Sequence, residues 1–489
     1  MDEWVRSTQF RPHPLRRFTD VRRLAALIAA IGITAALAST AAAGERMWMG
    51  FHDDPVLRYE GDRQNQLTLT AQPNGATMIR TLVVWANIAP TRPSTASDPF
   101  DPAYRWDDLD EIVRNAQTRG QEVLMTIWGT PGWANGNKKP QFVPTNMADF
   151  TAFTRALAAR YSGNNSGYPY VGFYGIWNES NLGSFLQPQF NASGKIVSPA
   201  NYARLAAAGI AGLKAGNPKA LVAIGETSSN GRDKKRAGLT DTVAPATFAK
   251  GVAAANKRLK FDAWAQHPYP FPVSSPPTQK ARYPNVTLTS LPRFGKDLDT
   301  WFGRRNIPIW VTEYGHETKP GEPKGVSEAQ QAAYVQRAIA IARANPRVPV
   351  FIWFVFQDSQ GSLWQSGLYR ANGTAKPAQP RWASAARPLD ARNKKLTVRG
   401  GVSNPLVAVN VREFCATSPP GSIVGSTVRV RLAGKLVGVS QPAGPLQANC
   451  TVSLRLPVKV AKGKTYVATA NLNTDAGGFS VRTITVVGV

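Results

Sequence analysis

From Glu45 onward the chain repeats one pattern eight times: a short run of apolar, β-branched or aromatic residues, then a segment with helical spacing. Strands that alternate with helices pair in parallel, because each crossover must return the chain to the start of the next strand. The runs are Met47–Phe51, Met78–Trp85, Val123–Trp128, a fourth ending Trp177-Asn178-Glu179, Leu221–Glu226, Phe261–Tyr269, Pro308–Gly315 and Val350–Phe356. Helices are expected over Trp106–Arg119, where Leu109, Ile112, Val113 and Ala116 share a face, over Met147–Tyr161, and over Asn201–Ala215 before the Gly216 stop. Eight parallel strands with helical returns close into an α/β fold, the (β/α)8 barrel, whose strand C-termini form the reaction face.

The chain has 489 residues, enough for such a barrel and a smaller second module. Beyond Pro388 its character changes. Runs such as Leu406–Val411, Thr427–Leu432 and Val481–Val486 alternate with Gly, Pro and Asn turns, which predicts a small C-terminal antiparallel β-sandwich over 388–489 after a barrel over 44–387. Residues 1–43 hold six arginines, including Arg16-Arg17 and Arg22-Arg23, then an uncharged stretch from Leu24 to Ala43. A basic region, an apolar region and a small-residue exit form a secretory signal, expected to be cleaved; uncleaved, it would serve as a membrane anchor. The protein is therefore expected to work outside the cytoplasm. There its two cysteines, Cys415 and Cys450, are expected to form a disulfide.

A net charge of +27 predicts attraction to an acidic glycan or an anionic cell envelope. Nucleic acid is not expected. The densest basic cluster, Arg232-Asp233-Lys234-Lys235-Arg236, has no aromatic interleaving and belongs to no nucleic-acid motif. Only His52, His267 and His316 follow the leader, without H-x-H or H-E-x-x-H spacing, so no metal site is expected. The chain also lacks a G-x-S-x-G elbow, a P-loop and a dinucleotide fingerprint, so no cofactor is expected. A monomer is expected.

The fourth and seventh runs end on carboxylates, Glu179 and Glu313. Glycoside hydrolysis with retention needs two carboxyl groups about 5 to 5.5 Å apart, one to attack the anomeric carbon and one to protonate the leaving oxygen. Strands four and seven lie across a barrel from each other, so their glutamates can meet over the cleft. Asn178 can hydrogen-bond a sugar hydroxyl beside the reacting carbon. Trp128, Trp133, Trp264 and Trp353 offer flat faces for sugar rings, Trp353 best of all. Glu226, ending the fifth run, and Glu317 are the competing carboxylates. Asp53, Asp54 and Asp358 are expected to satisfy hydroxyls or loop amides, and His52 and His316 are candidates for substrate contact.

Together, Arg80 in strand two, Trp177-Asn178-Glu179, His267 and Tyr269 at strand six, Glu313 and Trp353 resemble the TIM-barrel retaining glycosidases that include family 5 cellulases and family 39 xylosidases. The resemblance covers roughly residues 45 to 387. It implies Glu179 as acid/base, Glu313 as nucleophile, Asn178 on the sugar, Arg80 and Tyr269 orienting Glu313, and Trp353 as the floor of the site. At strand three many relatives carry His or Asn where this chain offers Trp128. The alternatives are a non-catalytic glycan- or cell-wall-binding protein on the same barrel, and a transglycosylase using the same two glutamates.

Overall fold

The computed structural model describes residues 47–71, 74–118, 121–165, 168, 170–359, 364–386, 389–390, 395–410, 423–433, 435–440, 451–474 and 479–489. The leader, the boundaries expected near 44 and 388, and both cysteines lie outside the described residues. From Glu45 to Val489 the chain forms one compact unit. No helix among the described residues is long and apolar enough to cross a membrane.

Eight strands close a barrel in chain order: β1 (Trp48–His52), β2 (Met78–Val84), β3 (Glu122–Trp128), β4 (Phe173–Ile176), β5 (Leu221–Ser228), β6 (Ala263–His267), β7 (Ile309–Tyr314) and β8 (Val350–Phe354). Every pairing is parallel, including β1 with β8. The expected helices form over Asp107–Thr118, Met147–Arg160 and Ser198–Gly216.

Alternation along each strand sorts residues into two cores. One set, including Met49, Phe51, Ile79 and Trp353, faces the helices. The other fills the barrel, where Phe173 meets Trp48 and Trp310 at ring separations of 5.5 Å each. Both sets are apolar, as strands buried on two faces require. Above the aromatic floor the interior turns polar at Arg80, Thr126 and Thr312, and this step carries the site.

The C-terminal region forms two sheets around a shared apolar core. The larger has the order Lys395–Val398, Phe479–Gly488, Thr465–Thr474, Ile423–Leu432, Lys435–Ser440; the smaller has Thr451–Arg455, Leu406–Asn410, Leu389–Asp390. Most pairings are antiparallel, as expected, but Lys395–Val398 and Leu389–Asp390 each join a sheet edge in parallel, making both sheets mixed. The smaller sheet also closes the barrel from below. Leu406 joins the interior core, Arg455 lies over the Trp48 ring at 5.2 Å, and its guanidinium pairs with Glu122 at the start of β3.

Candidate active site

At the C-terminal end of β4 the backbone leaves the sheet through two left-handed residues, Trp177 at φ 71° and Glu179 at φ 37°. Such conformations are costly for side chains other than glycine and persist where the surroundings enforce them. Here the Trp177 amide bonds Ile127 O at 2.7 Å, and its indole Nε1 donates to Phe185 O at 2.7 Å. This turn brings Asn178 and Glu179 over the barrel mouth. On β7 the ladder with β8 shifts register between Val311 and Tyr314, so that both Thr312 and Glu313 serve the interior.

Arg80 organises the site from β2. Its side chain is wholly buried, and its guanidinium reaches five partners. Nε donates to Thr126 Oγ1 (3.0 Å), Nη1 to Glu313 Oε1 (2.7 Å) and His52 Nδ1 (2.5 Å), and Nη2 to Asn178 Oδ1 (2.8 Å) and Glu226 Oε2 (3.3 Å). Tyr269 donates its hydroxyl to the other Glu313 oxygen at 3.1 Å. Burial alone would push the Glu313 carboxyl up. The charges of His267 and Arg80 outweigh it and hold the carboxyl well below the usual carboxylate range.

His267, at the end of β6, lies against both glutamates: its Nδ1 is 3.1 Å from Glu179 Oε1 and 3.5 Å from Glu313 Oε2. One donor atom from each of Glu179, His267 and Glu313 lies within 4.8 Å of the others. The Glu179–His267 contact is a hydrogen bond, and His267 Nε2 is engaged on Glu226 at 3.0 Å.

Glu226 is the first of the carboxylates that compete with the reactive pair. The structure places it beneath that pair with no exposed side-chain surface. Its approach requires Gly175 on β4, where a Cβ would stand 2.3 Å from Glu226 Oε1. Glu317 turns into a loop instead and accepts from Gln365 N at 3.3 Å. Asp53 ties the end of β1 to the end of β8 by accepting from Phe356 N (3.0 Å) and Gln357 N (3.1 Å). Asp54 accepts from Thr81 Oγ1 (2.6 Å) and Leu82 N (2.9 Å), and Asp358 from Gly367 N (2.8 Å).

Three expectations need correction. Trp353 is not the floor of the site: it lies on the helix-facing side of β8, fully buried, with Nε1 donating to Ser366 O at 2.8 Å and its ring 6.4 Å from Trp382. The next residue, Phe354, points inward, is partly exposed and stands 5.1 Å from the His52 ring. His316 offers nothing to a substrate. It is buried between Tyr314 and the Val273 carbonyl, and burial pulls its imidazole down to about 4. Trp264 is also core, 6.0 Å from Phe294. Trp128 is half-buried, its Nε1 on Phe185 O at 3.1 Å.

The chain is similar in fold to several solved enzymes. A glucosidase from Croceicoccus marinus has 12% identity over 90% of this chain and 96% of its own, with a TM-score of 0.51. A family 39 glycoside hydrolase from Bacteroides cellulosilyticus WH2 has 17% identity over 84% and 79%, TM-score 0.49. A monomeric β-xylosidase from Caulobacter crescentus CB15 has 14% identity over 89% and 98%, TM-score 0.48. A comparison with curated proteins finds no match. The family described as Cellulase (glycosyl hydrolase family 5) matches residues 41–359, well over half of the chain. This protein therefore belongs to the cellulase family, glycosyl hydrolase family 5, and is a glycoside hydrolase.

Proposed function

We propose that the protein cleaves O-glycosidic bonds of an oligo- or polysaccharide with retention, Glu313 acting as nucleophile and Glu179 as acid/base. The observation that carries this reading is the separation of the two carboxylates, whose facing oxygens lie within 4.8 Å of each other. An inverting enzyme holds its pair about 6.5 to 9.5 Å apart to admit a water, and the close approach of the two carboxylates here supports retention instead. The role split follows from surroundings. Glu313 is held ionised by cations and by Tyr269, as a nucleophile must be, whereas Glu179 has a more exposed side chain, 16% against 10%, and among the described residues its carboxylate hydrogen-bonds only His267.

The attack of Glu313 on the anomeric carbon breaks the bond to the leaving oxygen, which takes a proton from Glu179; water then reverses the sequence with Glu179 as base. Because Asn178 Oδ1 accepts from Arg80, its NH2 faces away from that bond and can donate to the sugar hydroxyl next to the reacting carbon. Phe354 supplies the apolar face at the floor and Trp128 a second one at the rim.

The charge of +27 supports an acidic polysaccharide or an anionic envelope as the working surface, and the leader supports export. Two tests are direct. The anomer formed first, read by proton NMR, should have the configuration of the substrate. Glu179→Gln should be slowed on the order of 10²-fold or more for poor leaving groups and little for activated aryl glycosides. An inverted first product, or equal losses for all leaving groups, would refute the assignment.

A further inference from the structure

Glu226 is a buried carboxylate that the double displacement does not use. It rides on a left-handed kink, Gly225 at φ 101° and Glu226 at φ 45°, where the β5–β6 ladder shifts register. The kink aims the carboxylate into the barrel, under the reactive pair, where its side chain has no exposed surface.

Among the described residues, three donors reach its oxygens besides the His267 ring. Thr312 Oγ1 donates to Oε2 at 2.7 Å, Arg80 Nη2 at 3.3 Å, and Thr126 Oγ1 donates to Oε1 at 3.4 Å. The Thr126 hydroxyl itself accepts from Arg80 Nε, which leaves its proton for Glu226. A carboxylate held this way is ionised and can only accept, so the fourth neighbour, His267 Nε2 at 3.0 Å, must carry a hydrogen. With Nε2–H fixed from below, Nδ1 is the ring position free to gain or lose a proton, and it faces Glu179 Oε1 at 3.1 Å.

We propose that Glu226 and His267 form a buried carboxylate–imidazole relay, in which Glu226 locks the ring as the Nε2–H form and Nδ1 holds the proton that Glu179 delivers. The proposal rests on Glu179 being the acid/base. Glu226 is a positioning residue in it. In the first half-reaction the Nδ1–H bond breaks as an O–H bond forms on Glu179, converting imidazolium and carboxylate to imidazole and carboxylic acid. Glu179 passes that proton to the glycosidic oxygen as its bond to carbon breaks. In the second half-reaction the attacking water gives a proton to Glu179, which returns it to Nδ1. Protons and charges balance over the cycle, and the logic is that of an oriented imidazole in hydrolytic triads.

The groups facing His267 are Glu226 from β5, Glu179 from the end of β4 and Glu313 from β7. Arg80 and His52 act on Glu313 from β2 and β1, and Tyr269 from beyond β6. Burial disfavours a charged ring, but the Glu313 charge and the hydrogen bonds to Glu179 and Glu226 prevail and push the imidazole up to about 9. Glu226→Gln keeps an acceptor facing Arg80, Thr312 and His267 but removes the charge, so the proton shared by His267 and Glu179 should leave at lower pH.

The test is 15N NMR of the imidazoles in the full chain, which has only four histidines, with His267 identified by its loss in His267→Gln. In the wild type the ring should carry both protons at neutral pH and retain Nε2–H when it titrates. In Glu226→Gln the titration should fall by about one to two pH units. The basic limb of kcat/KM should fall with it on a poor leaving group and stay in place on an activated aryl glycoside. An Nδ1–H neutral tautomer in the wild type overturns the relay, even if the variant does not fold, and so does an unshifted variant. A ring that titrates as described, combined with a Glu179→Gln enzyme that still cleaves poor leaving groups, overturns the acid/base assignment instead.

Discussion

Arg80→Lys isolates the geometry of the central guanidinium from its charge. Arginine serves five partners from three nitrogens spread over a planar fork, whereas a lysine ammonium offers three donors from one point. No single point can reach Thr126, Asn178, Glu226 and Glu313 together. At least two bonds are therefore lost, one neutral and one to a carboxylate, worth about 1 and about 1.5 to 3 kcal/mol respectively. The Arg80 side chain is wholly buried, so water does not replace them, and the variant should lose roughly 2.5 to 4 kcal/mol in urea denaturation. Misplacing Glu313 by the order of 1 Å should also lower kcat about 10²-fold on an activated glycoside. Arg80→Met, which removes the charge as well, should move the acid limb of kcat/KM to higher pH, because the depressed Glu313 carboxyl loses one of the cations that holds it ionised. An Arg80→Lys enzyme within about 0.5 kcal/mol of wild type, with kcat within about threefold, would refute this account of the site.

His267, pushed up to about 9, contributes stability that is full below the unfolded value of about 6.5 and lost as pH rises through about 9. The melting temperature should therefore fall between about pH 7 and 10, and the fall should flatten in His267→Gln. Glu226 and Glu313 are depressed, so their share is present above about pH 4.5 and disappears as pH falls below it, a loss that urea titrations at pH 3 and 5 would detect. Phe354→Ala should raise KM on the order of tenfold, whereas Trp353→Phe should cost about 1 to 3 kcal/mol of stability with kcat and KM unchanged; the opposite pattern would restore Trp353 to the floor. Leu406→Ala, in the C-terminal sheets, should destabilise the barrel by about 2 to 4 kcal/mol in a single transition, since its side chain fills the barrel interior; two separate transitions would contradict that coupling.

The barrel was legible because period and length carry its signal: eight apolar runs at strand length with amphipathic segments between them admit few other closures. That Glu179 and Glu313 meet at the barrel mouth was legible for a related reason, since polar groups ending apolar strands have no packing role. Trp353 was misread because β8 is apolar on both faces. Val350 and Ile352 alternate with Phe351 and Trp353, so the sequence cannot say which parity points inward. Glu226 was undervalued for a different reason. Its inward direction depends on the kink after Ile224, and Gly225 was the one local sign of it. The parallel edge pairings of the C-terminal sheets also escaped, because they are made by short strands of two and four residues, Leu389–Asp390 and Lys395–Val398, with too little pattern to read.

The central claim is a covalent glycosyl intermediate on Glu313. Intact mass of the purified protein after exposure to a panel of 2-deoxy-2-fluoro glycosides with activated leaving groups tests it most directly, with Glu313→Ala alongside. The account predicts an adduct of one fluoroglycosyl unit on the wild type, mapped to Glu313 and missing in the variant, and the sugar that labels would name the substrate class. An adduct on Glu179 or Glu226, or no adduct from any sugar on a folded protein that hydrolyses glycosides, would contradict it.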